Sequence, residues 1–108
     1  MREVRLTSGM WVAAFVRRCQ AEGAFAAVLH KGDPGAGAVF IEVTHADGVD
    51  LYGPAWSESE RRFERLMRSD PPDVSARIDK ERAFDRDLWV VSVDDREGRH
   101  HLLPDECA

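Results

Sequence analysis

Apolar side chains first recur at helical spacing near the start of the chain. At about 100° per residue, Trp11, Val12, Phe15, Val16 and Cys19 share one side, and Ala13, Arg17 and Gln20 share the other. Thr7 or Ser8 offers the capping oxygen, and Gly23 offers the left-handed residue that stops a helix ending near Glu22. The pattern then changes to extended runs. Residues 24–30 and 38–44 are rich in apolar, β-branched and aromatic types and read as adjacent strands across a glycine-rich connection. Asp47-Gly48 is a turn signal, and Val49-Asp50-Leu51-Tyr52 alternates apolar with polar, so a second hairpin is expected. Gly53-Pro54 closes it, because proline has no N–H for a continuing ladder.

Residues 57–68 fit two patterns. Ser57-Glu58-Ser59-Glu60 has capping-box spacing and Phe63, Leu66 and Met67 recur at helical spacing, yet a short strand through Phe63 alternates acceptably. Both alternatives stay open at this point. Asp70-Pro71-Pro72-Asp73 breaks the chain, and a second helix is expected over 74–84 with Val74, Ile78 and Arg82 on one side. Residues 88–93 form the strongest strand pattern, and Asp94-Asp95-Arg96-Glu97-Gly98 is expected to turn it into a last short strand over 99–103. Short turns imply antiparallel neighbours, and each helix needs a sheet face to cover its stripe. The expected fold is therefore α+β: a mainly antiparallel sheet of about five strands with two helices packed on it.

Composition narrows the class. The chain has 108 residues, room for one core, so residues 1–108 read as a single domain; 44% hydrophobic and 32% charged residues match a globular fold rather than disorder. The formal net charge of −5 opposes long-range attraction to nucleic acid or anionic membrane. Met10 to Val16 is followed by Arg17-Arg18 and is far shorter than the ~20 residues of a membrane span. Cys19 and Cys107 are far apart in sequence with no secretory pattern, so free thiols and a cytoplasmic setting are expected.

Candidate chemistry is sparse. Gly32-Asp33-Pro34-Gly35-Ala36-Gly37 resembles a phosphate cradle in composition, but a strand rather than a helix follows it and no lysine-serine or lysine-threonine pair completes a P-loop. A turn with close backbone approach is the simpler reading. His30, His45, His100, His101, Cys19 and Cys107 show no metal-ligand spacing, and Cys19 on the apolar helix side reads as an inert buried thiol. Asp85, Asp87, Asp94 and Asp95 sit at element ends, where aspartate is ordinary. Arg61, Arg62, Arg65 and Arg68, with Arg17 and Arg18 if the fold brings them close, make the one plausible anion-binding surface, diluted by Glu58, Glu60 and Glu64. Trp11 and Trp89 fit core positions, whereas Trp56 follows Gly53-Pro54-Ala55 in a loop and is a candidate contact residue.

Three stretches together carry a resemblance. They are Arg5-Leu6-Thr7-Ser8-Gly9-Met10-Trp11 with Arg17-Arg18-Cys19-Gln20, then Lys31-Gly32-Asp33-Pro34-Gly35-Ala36-Gly37-Ala38-Val39, then Asp85-Arg86-Asp87-Leu88-Trp89-Val90-Val91. Spread over nearly the whole chain, they resemble a small bacterial family catalogued as domain of unknown function 1491. That resemblance implies a free-standing bacterial cytoplasmic protein and brings no activity, cofactor or partner with it.

Three functional expectations follow. The first is a noncatalytic module binding an unidentified protein partner or a second copy of itself through Trp56, Arg61, Arg62, Arg65, Arg17 and Arg18, with no cofactor, no metal and no membrane contact. The second is a small enzyme or anion binder built on Gly32, Asp33, Gly35 and Gly37, with Asp85 or Asp87 supplying carboxylates and Arg17 or Arg18 holding the anion. RNA or ribosome association through the arginines is the third and is disfavoured by the net charge. A concave pocket where loop and arginines meet favours the second; a flat apolar patch around Trp56 favours the first.

Overall fold

The computed structural model describes residues 6–57 and 60–108. Its elements are α1 (Ser8–Ala21), β1 (Phe25–His30), β2 (Val39–His45), β3 (Gly48–Ala55), β4 (Arg62–Ser69), α2 (Pro71–Phe84) and β5 (Trp89–Asp94), followed by a short 3-10 turn at Pro104–Glu106. Thr7 caps α1 by accepting the Met10 N–H at 3.3 Å, and Gly23 lies beyond its end at φ 92°. Pro71 and Pro72 occupy the first turn of α2, where a missing N–H costs nothing, so that helix starts three residues before the expected position.

The sheet runs in the order β1-β5-β2-β3-β4, antiparallel throughout except where β5 lies parallel to β2. Alternation splits the core in two. Val39, Ile41 and Val43 of β2 and Trp89, Val91 and Val93 of β5 join Trp11, Val12, Phe15 and Cys19 of α1. Phe40 and Val90 point the other way and pack with Val74 and Ile78 of α2. The helices therefore cover opposite faces of one α+β sheet. Burying a side chain such as Phe15 or Ile41, both wholly inaccessible, stabilises the fold by roughly 1.5–3 kcal/mol each.

Two expectations about strand partners are corrected. The strands on either side of the glycine-rich loop are not neighbours, because β5 inserts between them. Its residues Trp89, Val90, Val91 and Val93 are buried on both faces, and such a strand belongs in the interior of a sheet. The expected last strand over 99–103 does not form. Both edges of β5 are already taken by β1 and β2, and His101 adopts φ 60°, which no ladder accommodates. Five strands are reached because the ambiguous segment forms β4, with Phe63 facing α1 and, past a bulge at Leu66, Met67 facing α2. The capping-box pattern at 57–60 includes Glu58 and Ser59, which lie outside the described residues; Ser57 Oγ accepts the Glu60 N–H at 3.3 Å.

Candidate functional site

The glycine-rich connection is a backbone interlock. Asp33 donates its N–H to the Asp87 carbonyl at 2.9 Å, and its own carbonyl accepts the Trp89 indole N–H at 2.8 Å. Its carboxylate accepts the Ala36 N–H at 2.9 Å, setting the turn. A Cβ on Gly32 or Gly37 would stand 2.2 Å or 2.1 Å from the Asp87 oxygen, so only glycine allows the two segments to touch. The loop also docks on the start of α1, where Ser8 and Gly9 donate their N–H groups to Gly35 and Pro34 carbonyls at 3.1 and 2.9 Å, and Ser8 Oγ donates to the Gly37 carbonyl. These helix-end donors thus bind protein carbonyls rather than presenting themselves to a phosphate.

Beside this loop the sheet divides. The β2–β3 ladder stops at Ile41 and Tyr52, although β2 begins at Val39 and β3 runs on to Ala55. Gly53, Pro54 and Ala55 continue to pair only on the other side, with Glu64, Phe63 and Arg62. Pro54 ends one ladder, as its missing N–H requires, while the strand itself continues. A cleft of about 500 Å³ opens here, within the range of ligand sites. Its walls are Gly35, Ala36 and Gly37 on one side, Pro54 and Ala55 on another, and Arg61, Arg62 and Phe63 at the start of β4; Leu6, Thr7, Ser57, Glu60 and Asp85 complete it.

The fold gathers some of the candidate residues and separates others. Gly35, Gly37, Asp85, Arg61 and Arg62 meet in the cleft. Trp56 lies between two of its lining residues and is 85% exposed. Arg61 donates to Leu6 O and Ser8 Oγ at 3.3 and 3.4 Å, and its guanidinium carbon lies 5.8 Å from the Trp11 ring centroid. Arg62 donates to the Cys107 carbonyl and has Glu60 at 3.8 Å. Arg17 is exposed on α1, and Arg65 is exposed on β4 opposite Tyr52. Arg18 lies elsewhere, donating to Glu106 Oε1 at 2.8 Å and to the His101 carbonyl at 2.9 Å. Gly32 and Asp33 serve the interlock behind the cleft and do not line it.

A second polar cluster ties the C-terminal segment down. His101 is buried, with Nδ1 at 2.5 Å from Glu22 Oε1 and Nε2 at 2.7 Å from Asp95 Oδ2. Burial alone raises the Asp95 pKa, but the bonds from His101, the Glu97 N–H and Arg99 outweigh it and hold the carboxyl below the usual range. Glu106 behaves alike: burial opposes its ionisation, and Arg18, the Leu103 N–H and the Trp11 indole, which donates at 3.0 Å, reverse the balance. Asp50 is depressed chiefly by Arg68, which donates at 2.6 and 2.9 Å, with His45 Nε2 3.2 Å away. Cys19 is wholly buried, and desolvation pushes its thiol up to about 11, consistent with an inert role. Among the described residues, no three His, Cys, Asp or Glu side chains gather as a metal site would require, and no helix is long and apolar enough to cross a membrane.

The cleft was not legible as such in the sequence. Its only local signal was Pro54, which marks the lost ladder; that Thr7, Ser57 and the start of β4 would meet the loop there depends on tertiary packing. Comparison with known proteins places the chain in a family. The model of a protein family of unknown function, DUF1491, matches residues 6–103. No curated protein matches the chain. A crystal structure of a DUF1491 family protein from Caulobacter crescentus CB15 is 40% identical, with a TM-score of 0.81 over 90% of this chain and 94% of that one. The solution structure of protein Atu0922 from A. tumefaciens is 41% identical, with a TM-score of 0.79 over 85% and 87%. An NMR structure of a DUF1491 family protein from C. crescentus CB15 gives 38% and 0.82 over 93% and 94%. With the family model spanning nearly all of it, this chain belongs to the DUF1491 family.

Proposed function

We propose that this protein is a noncatalytic binding module whose cleft receives an extended polypeptide segment bearing at least one carboxylate, with Trp56 as the contact at its mouth. The observation that carries this reading is an 85%-exposed tryptophan whose neighbours on both sides line a cleft containing two arginines. Tryptophan and arginine dominate binding energy at protein interfaces when desolvated by a partner. The diverging edges of β2 and β3 add backbone groups that an extended chain can meet in strand fashion. The lining also carries Glu60 and Asp85, a mixture of signs that suits a polypeptide better than a free phosphate. The unbridged thiols of Cys19 and Cys107 support a reducing, cytoplasmic setting for this binding.

Fluorescence tests the reading, because Trp11 and Trp89 are buried and solvent-sensitive emission comes from Trp56. Short alanine-based peptides carrying glutamate, glutamine or lysine are titrated against the protein. The glutamate peptide is expected to produce a saturable change that the glutamine peptide does not, weakened at least tenfold in a folded Arg62→Gln variant. No saturable response to any peptide contradicts the proposal, and a saturable response to inorganic phosphate alone replaces it with the small-anion reading.

A further inference from the structure

The two outer strands of the sheet differ in chemistry. β4 carries Arg62, Glu64, Arg65 and Arg68, and the C-terminal segment covers part of its edge through a bridge between Phe63 and Cys107 and a bond from the Ala108 N–H to the Phe63 carbonyl at 2.8 Å. Charges and coverage of this kind keep a strand edge from pairing with another chain. β1 lacks them. From Phe25 to Leu29 it has no charged residue and no proline, and Phe25, Val28 and Leu29 are 69%, 42% and 50% exposed. The Gln20 side chain reaches the Ala26 carbonyl at 3.4 Å.

Charge at the two ends of β1 selects the occupant. Asp94, paired with Phe25, and Glu22, half exposed and in contact with His101, make the first end acidic; Lys31, exposed just past His30, carries positive charge at the other end. An antiparallel two-fold arrangement sets the acidic end of one copy against the basic end of the other, twice. A parallel arrangement would set like against like. We infer that two copies of this chain associate antiparallel through β1, extending the sheet from one copy into the next. The regular stretch is short, because a bulge interrupts the β1 register between Val28 and His30. The dimer is therefore a reversible one, formed at high protein concentration.

Sedimentation velocity across about 10 μM to about 1 mM, near the weak end of specific association, tests this. The expected result is a mass rising from 12.2 kDa toward twice that value. Phe25→Lys combined with Leu29→Lys should abolish the rise; both side chains are exposed, and an unchanged circular dichroism spectrum confirms the fold. Lys31→Glu should weaken association at least fivefold. Hydrogen exchange provides a second readout, in which β1 amides slow as concentration increases. A monomer at every concentration overturns the inference. So does a dimer that persists in the double variant or leaves β1 exchange unchanged, since it would use another surface or admit a different partner at this edge.

Discussion

At Gly37 one added methyl group would sit 2.1 Å from the Asp87 carbonyl oxygen, a backbone atom that cannot swing aside. Gly37→Ala is therefore expected to destabilise the protein by about 1–3 kcal/mol or more. At Gly35 the nearest atom is the Asp33 carboxylate at 3.4 Å, so Gly35→Ala should have a much smaller effect. Urea denaturation of the two variants checks the contrast; equal losses would mean that the interlock does not depend on close approach. Ionisable residues give a second test. Asp50, Asp95 and Glu106 have folded pKa values below their unfolded ones, so the unfolded state binds more protons in acid. Their stabilisation is full above the ordinary carboxyl range near pH 4 and is lost as pH falls through the folded values. Asp95→Asn should lower stability at pH 7 and flatten its fall in acid. Glu42 runs the other way: burial and then Asp94 raise its pKa, so Glu42→Gln should raise the melting temperature at pH 7, with the gain vanishing below about pH 4.

At the scale of elements, short-range signals were readable and partner choice was not. Thr7, Gly23, the Asp47-Gly48 turn and the apolar side of α1 all lie where their local physics requires. The insertion of β5 between β1 and β2 rests on competition for sheet edges among residues far apart in sequence, which periodicity does not encode. Residues 57–68 were ambiguous for a related reason: the bulge at Leu66 breaks strict alternation and mimics helical spacing. The last expected strand failed because His101 does better between two carboxylates than in a ladder with no free partner. The β3–β4 pairing is also testable. Arg68→Ala removes the bidentate partner of an Asp50 that is 1% exposed, so a loss of stability is expected by thermal or chemical denaturation, softened because half of Arg68 faces water. A loss near zero would show that His45 alone suffices for Asp50.

At the scale of the molecule, two features stand apart from the packed core: a cleft where the sheet divides, and an edge strand without charged protection. The candidate residues were partly visible beforehand, since Arg61, Arg62, Gly35 and Gly37, which line the cleft, were each singled out by type. Their convergence was not, because it depends on the loop docking on α1 while β3 leaves β2. Arg18, grouped with them by charge alone, instead clasps Glu106. On the function proposed above, the cleft and Trp56 form one binding surface. The most direct test is to map backbone and indole N–H shifts by NMR while adding the glutamate-bearing peptide. Shifts are expected on the Trp56 indole, on Gly35 to Gly37 and on Arg61 to Phe63, with β1 and α2 unmoved. Shifts clustered elsewhere, or none at saturating peptide, would contradict it.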